Sequence, residues 1–366
     1  MARKLKSDPV LFIATMLLVG LSVVMVYSAS AVLEMERSGR PSWYLLKQGM
    51  WAALGIAVLG IVMRVDYRIY REPAFIWTAL GVALVGLAAV LFGPTVNNAR
   101  RWFALGPLGI QPSELAKLAA IFFIAALLER RMHRVNEIGY SLIPIAVVVV
   151  SLVGLILLEP DFGTSMSLAL IAAVMVFAAG LDYSYIAGFG LLLVPTVTLL
   201  AMSAGYRRRR WLAFLDPWGD PLGSGFQIIQ SLIAVGTGGV WGKGLMNGVQ
   251  KLFFLPEPHT DFIYSVISEE LGFLGATVVL GCFCVITWRG LRVVLQAPDR
   301  FGAFLALGLT TMNAVQAFVN ISVVLGLLPT KGIPLPFVSA GGSSLLINLL
   351  GMGVLLNVSQ HASTEA

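Results

Sequence analysis

Asp261 is the first residue of this chain to consider for chemistry. It stands in Leu255-Pro-Glu-Pro-His-Thr-Asp-Phe-Ile263, where a long polar stretch runs into an apolar segment. A carboxylate at such a mouth can be reached by both substrate and water. His259, two residues upstream, could donate to a phosphate or tune Asp261, and Glu257 precedes it on the same stretch. The apolar segment then carries Glu269 and Glu270. Ionisable groups at membrane depth face a water-filled cavity or a partner, which makes them functional-site candidates. Asp261, Ser265, Ser268 and Glu269 fall near one helix face, and a rise of 1.5 Å per residue puts Glu269 about 12 Å below Asp261. For Glu269 and Glu270 a structural hydrogen-bond or ion-pair network is the expected role.

Other charged groups suit an anionic substrate. Glu114 and Lys117 are three apart, hence on one helix face. They either neutralise each other or present Lys117 to an anion with Glu114 orienting it. Arg100 and Arg101 lie just upstream, beside Trp102. Glu159 and Asp161 flank Pro160, as a capped turn or as further carboxylates at one cavity. Arg207, Arg208, Arg209 and Arg210 precede Trp211; such a run reads as a headgroup contact, and against a pyrophosphate it would supply charge-assisted bonds. The glycine-rich Gly236–Gly244 is a P-loop only superficially: Thr237 and Gly244 replace residues that nucleotide binding needs. Three dispersed histidines and two cysteines give no zinc spacing. No Gly-x-Ser-x-Gly elbow occurs.

The frame holding these groups is a membrane bundle. The 366 residues are 58% hydrophobic and 12% charged, with repeated apolar runs near 20 residues. Strand alternation is absent, and helices are the other way to satisfy backbone polar groups in lipid. The reading is an all-α polytopic membrane protein, a single domain over 1–366. Ten spans are expected at 9–29, 43–63, 74–93, 113–129, 140–158, 163–181, 184–203, 263–288, 301–327 and 343–359. The fourth is short enough to be tilted or partly re-entrant. With the N-terminus inside, the cytoplasmic segments hold twelve Lys and Arg (Arg3, Lys4, Lys6, Arg64, Arg68, Arg71, Arg130, Arg131, Arg134, Arg289, Arg292, Arg300) and the short outer loops five (Arg37, Arg40, Arg100, Arg101, Lys331). That bias puts both termini in the cytoplasm and the long loop 204–262, between spans seven and eight, outside. Within it, Phe226–Val235 is apolar but too short to span and is expected at the interface. Cys282 and Cys284 lie two apart on one span and serve packing.

Every even-numbered span then begins at the outer face. Gln111-Pro-Ser-Glu114, Asp161-Phe-Gly-Thr164, His259-Thr-Asp261 and Gly341-Gly-Ser-Ser344 open four of them with helix-starting chemistry. Helix N-termini expose N–H groups and partial positive charge, so the outer side looks built to hold an anion. The inner half reads as apolar apart from its loops. That asymmetry favours outer-face chemistry over the competing class, a lipid flippase or transporter, and over a scaffold. Nucleic acid is excluded as a partner of a membrane-facing outer loop.

Together these segments resemble the SEDS family of cell-wall polymerases. The matching stretches are Arg101-Trp-Phe with Gln111-Pro-Ser-Glu-Leu-Ala-Lys117, Glu159-Pro-Asp-Phe-Gly-Thr164, Gly225-Phe-Gln227 with Gly242-Lys-Gly244, Leu255–Phe262 with Glu269-Glu-Leu-Gly272, and Pro334–Ser343. Ala340 departs from a Tyr expected in many relatives. The short tails point to the elongation-type, RodA-like branch rather than the division-type FtsW-like one. The resemblance implies a peptidoglycan glycosyltransferase of the bacterial cytoplasmic membrane that polymerises lipid II and releases undecaprenyl pyrophosphate. It implies Asp261 as the catalytic residue. Arg101, Lys117, Glu114, Arg207, Arg208, Arg210, His259 and Ser343 are the candidates around substrate and pyrophosphate, and Asp161, Glu257, Glu269 and Glu270 the supporting network. A divalent cation, Mg or Mn, is compatible with the pyrophosphate, with Asp161, Glu114 or Glu257 as ligands, though no spacing demands it. The implied partners are a class B penicillin-binding protein, whose single membrane helix would pack on the late spans, and the elongation machinery.

Overall fold

The computed structural model describes residues 7–95, 99–105, 108–185, 187–188, 191, 211–330 and 332–362. Ten α-helices are named among them here: α1 Pro9–Ser38, α2 Trp43–Val62, α3 Pro73–Val90, α4 Pro112–Arg131, α5 Ile143–Leu158, α6 Phe162–Ala178, α7 Phe226–Thr237, α8 Ile263–Gln296, α9 Arg300–Val324 and α10 Gly342–Ser359. Seven are long and apolar enough to cross a membrane: α1, α2, α3, α5 with its preceding π-turn, α8, α9 and α10. The chain is a multi-pass, almost entirely helical membrane protein. Nine of the ten expected spans meet a helix; the seventh, 184–203, lies almost wholly outside the described residues, as do Arg207, Arg208 and Arg210.

Local chemistry explains the ends. Asp8 caps α1, its Oδ1 accepting from the N–H groups of Val10 and Leu11, with Pro9 in the first turn. Gly39 closes α1 at φ 67°, sending its N–H to Met35 O. The start of α1 meets the end of α10, where Asp8 N donates to Ser359 Oγ and Arg289 pairs with the Asp8 carboxylate at 2.6 Å.

α4 corrects the sequence reading most. It is a full 20-residue helix, and 15 of its residues are buried. It packs against α3, α6, α9 and α10. A helix buried all round lies inside a bundle rather than along its lipid face. Ala116, Ala119, Ala120, Ala125 and Ala126 let the neighbours approach closely. Glu114 and Lys117 are thereby held away from lipid.

The outer loop carries α7, which packs on α8 and α9, with Ser231 Oγ 2.7 Å from both Ser265 Oγ and Val324 O. Beyond it the glycine-rich segment is spliced into α8, which breaks at Gly272 (φ 68°, ψ −167°). The carbonyls of Glu269 and Glu270 accept from the N–H groups of Lys243 and Gly244, while Phe273 N and Leu274 N donate to Gly239 O and Val240 O. The loop so replaces the helical bonds that the break removes. Gly242 (φ 79°) is needed for this, since a Cβ there would lie 2.2 Å from Glu270 O. Beside these helices the described residues form one antiparallel strand pair, Phe103–Leu105 against Leu108–Ile110; Gly109 in it sits against the Trp102 ring.

Candidate active site

Four helices begin around one cavity of about 430 Å³. Its wall includes Gln111, Asp161, Phe262 and Gly341, which are the N-cap residues of α4, α6, α8 and α10. Only α6 has a side-chain cap, Asp161 Oδ1 accepting from Thr164 N. At the other three starts no side chain caps the helix. Their partial positive charges converge on the cavity, the arrangement that favours an anion.

The wall also carries Arg101, Glu114, Glu257 and Asp261. Asp261 stands immediately before α8, as the sequence placed it. Gly332 lies against it: a Cβ there would come within 3.0 Å of Asp261 Oδ2. Arg101 lines the cavity while its Nε and Nη2 donate to the carbonyls of Glu159 (2.9 Å) and Pro160 (2.5 Å). It thus ties the hairpin segment to the turn between α5 and α6.

Lys117 lies behind the wall. It is 1% exposed and donates to Glu114 Oε1 at 2.8 Å, while Ser344 Oγ donates to Glu114 Oε2. Asp161 accepts from Thr164 Oγ1 at 2.9 Å and Gln111 Nε2 at 3.2 Å. Both carboxylates are therefore largely committed to protein donors. Among the described residues no group of three or more His, Cys, Asp or Glu is placed to hold a metal ion. Asp161, Glu114 and Glu257 thus make no ready cation cage.

Several candidates lie elsewhere. Ser343 Oγ accepts from Gln111 N, and its neighbour Ser344 is the one on the wall. His259 is buried against Tyr44, ring centroids 4.5 Å apart. Its Nε2 is 3.8 Å from Glu257 Oε2, too long for a hydrogen bond. Burial, aided by the charges of Arg37 and Lys47, lowers its pKa to about 4. It is therefore neutral at pH 7 and supplies no positive charge. Glu269 accepts from Lys243 Nζ (2.7 Å), Val249 N (2.9 Å) and Gln250 N (3.1 Å). Glu270 accepts from Lys251 Nζ, Ser28 Oγ and Met246 N. Both anchor the loop rather than line the cavity. The bundle interior also holds polar side chains that the sequence reading passed over: Thr310, Asn313 and Gln316 on α9 and Asn348 on α10 are buried. Single amides hide easily in an apolar window. They are 1% exposed, packed rather than open to a channel.

Glu159 flanks Pro160 opposite Asp161 but behaves differently. Its side chain is fully buried and neither carboxyl oxygen has a partner. Burial, with Asp161's charge beside it and Arg101 opposing, pushes its pKa up to about 8 from 4.5. A carboxyl raised in the folded state contributes stability that is fully present below 4.5 and lost as pH rises through about 8. Glu159→Gln keeps the neutral form and is expected to flatten that loss. A melting temperature falling as steeply as in wild type between those two pH values would refute this account.

Sequence comparison agrees with the geometry. A family model described as cell cycle protein, covering FtsW, RodA and SpoVE, matches residues 9–364. The chain belongs to the FtsW/RodA/SpoVE family. Within this family, a probable peptidoglycan glycosyltransferase FtsW of Geobacter sulfurreducens is 43% identical over 359 residues, 96% of this chain and 95% of that protein. Stage V sporulation protein E of Bacillus subtilis is 42% identical over 98% of this chain and 99% of its own. Among solved structures, a chain described under the structural coordination of polymerization and crosslinking by a peptidoglycan synthase complex superposes with TM-score 0.79 at 33% identity, covering 96% of this chain and 97% of that one. The rod shape determining protein RodA of Thermus thermophilus gives 0.72 at 28%, covering 98% of each. The RodA-like branch inferred from tail length gains no support: chains named FtsW share more identity than that RodA does.

Proposed function

We propose that the protein is a peptidoglycan glycosyltransferase that polymerises lipid II and releases undecaprenyl pyrophosphate at the outer face of the bacterial cytoplasmic membrane. The observation that carries this is Asp261 on one cavity wall with Arg101 and four helix N-termini. The acceptor sugar's 4-hydroxyl attacks the anomeric carbon of the donor. Asp261 takes the hydroxyl proton, the new glycosidic bond forms, and the bond from anomeric carbon to pyrophosphate oxygen breaks with its electron pair leaving on oxygen. Arg101 and the uncapped starts of α4, α8 and α10 stabilise that departing charge without reorganising. Attack opposite the leaving group converts an α linkage into a β one. A divalent cation on the pyrophosphate would find Asp161, Glu114 or Glu257 on the cavity wall, and no step is routed through it.

The relatives' activity supports this reading: those named FtsW are probable peptidoglycan glycosyltransferases. One structural neighbour comes from a peptidoglycan synthase complex that coordinates polymerization with crosslinking, which supports a class B penicillin-binding protein as partner. The partner would raise activity by acting on the loop 204–262. For the cellular process, greater identity to FtsW and to stage V sporulation protein E favours division or sporulation over elongation. Depletion separates them: filaments indicate division, rounded cells elongation.

The test is glycan polymerisation from labelled lipid II by the purified chain, alone and with its penicillin-binding protein. Polymer made by the complex, and little by the chain alone, is the expected result. A folded complex that makes none, while moving lipid II across vesicles, would shift the function to a flippase.

A further inference from the structure

The residues leading into α8 carry three successive backbone carbonyls that the helix does not use, since its first bonds run from Ser265 N and Val266 N to Phe262 O. Each is claimed from elsewhere. His259 O accepts from Ala340 N at 2.9 Å. Thr260 O accepts from Ser339 Oγ at 2.6 Å, and that hydroxyl in turn accepts from Leu335 N. Asp261 O accepts from Asn320 Nδ2 at 2.8 Å. The same Nδ2 donates to Ile333 O at 2.7 Å. Asn320 therefore joins Asp261 to the segment whose Gly332 abuts the Asp261 carboxylate.

Two carbonyls at these distances demand donors, so the orientation of the Asn320 amide is fixed and its Oδ1 is left buried without a partner. The side chain is 2% exposed on α9 and does not line the cavity. Nothing in its placement suggests contact with substrate. Its polar atoms serve the backbone on either side of the Asp261 carboxylate.

We propose that Asn320 is a positioning residue for Asp261: its amide, bridging Asp261 O and Ile333 O, holds the carboxylate at the distance from the acceptor hydroxyl that proton transfer requires. This rests on Asp261 being the base of the glycosyl transfer proposed above. Misplacing a reacting group by about 1 Å can cost about 10²-fold in rate.

Asn320→Asp is the discriminating change. It keeps size and shape but sets an acceptor against two carbonyls. The purified enzyme with its penicillin-binding partner is assayed on lipid II for kcat, KM and melting temperature. The expected result is a kcat lower by about 10- to 100-fold, with KM within about twofold. A kcat per folded enzyme within twofold of wild type overturns the proposal. Equal losses in KM and kcat also overturn it, because they describe a substrate contact. Should Asn320→Asp not fold, Ser339→Ala releases Thr260 O together with Leu335 N, and leaves the Asn320 bridge in place. It is expected to lower kcat several-fold at unchanged KM, and an unchanged kcat there overturns the proposal equally. Asp261→Asn, run alongside, separates the two levels. If that variant polymerises at the wild-type rate, the base assignment falls and the proposal with it. If it is inactive while Asn320→Asp is fully active, only the positioning role falls.

Discussion

Asp261→Asn is expected to lower lipid II polymerisation by about 10²–10⁴-fold, the range that a general base contributes. The substitution keeps shape and a hydrogen-bonding oxygen but cannot accept the proton of the 4-hydroxyl. The fold should tolerate it, because the change is isosteric and the backbone carbonyl of residue 261 still accepts from Asn320. Binding of lipid II should survive as well. Arg101 and the helix starts that meet the pyrophosphate are untouched, so the loss should fall on kcat and not on KM. The measurement is initial polymerisation rate against lipid II concentration at matched folded enzyme. A variant within threefold of wild type would leave the polymerase intact and remove Asp261 as its base. A rise in KM alone would make Asp261 a binding group.

The geometry around Asp261 was legible in the sequence to different depths. Helix starts are local: Pro and the residues before it at Gln111, the Asp161 cap and the Gly341 pair can be read from a few positions each. Their convergence followed from counting spans and assigning a side to each, and all four starts do meet at one cavity. The Glu114–Lys117 pair followed from helical periodicity. What periodicity could not supply was which side of the wall each residue occupies. Lys117 lies behind Glu114, and Ser344 rather than Ser343 reaches the cavity. His259 turns into Tyr44 instead of toward Asp261's carboxylate cavity.

Contacts between distant segments were the least legible. Asn320 sits in an apolar span, and its two acceptors are 59 and 13 residues away. The glycines of 238–244 resembled loop punctuation, yet their spacing serves a close approach to the α8 backbone. Gly238 faces Ser268 O and Gly242 faces Glu270 O, each at about 2 Å from a would-be Cβ. The signal was present as a glycine-rich run opposite Glu269-Glu-Leu-Gly272, but only a pairing of the two segments turns it into a contact. The network role expected for Glu269 and Glu270 named the interaction type; the partners Lys243 and Lys251 come from a loop whose path no single window encodes.

That loop attachment should depend most on Lys251. Its side chain is 3% exposed and Glu270 is wholly buried, with Nζ 2.5 Å from Glu270 Oε1 and 2.9 Å from Ser28 Oγ. One ion pair thereby joins the loop, α8 and α1. Lys251→Met preserves length and apolar bulk but leaves the buried Glu270 carboxylate without its counter-charge, held only by Ser28 Oγ and Met246 N, and removing one member of a buried pair costs about 3–5 kcal/mol. Lys243→Met is the informative comparison. Lys243 is 30% exposed, and Glu269 keeps the N–H groups of Val249 and Gln250 when the lysine is gone. Its loss should be nearer the about 1 kcal/mol of an ordinary hydrogen bond. Replacing both partners, as Lys251→Met with Glu270→Gln, should recover most of the stability, because the main cost lies in the unpaired charge and not in the missing attraction. Thermal unfolding of the three variants in one detergent decides it. If Lys251→Met melts with wild type, or if the double variant is less stable than the single, the clamp does not hold the loop in the way its burial implies. If the order is as expected, the loop that leads into Asp261 is fixed to the membrane helices by a charge pair shielded from solvent, and its attachment should persist at high salt, where exposed pairs such as Arg134–Glu137 are screened.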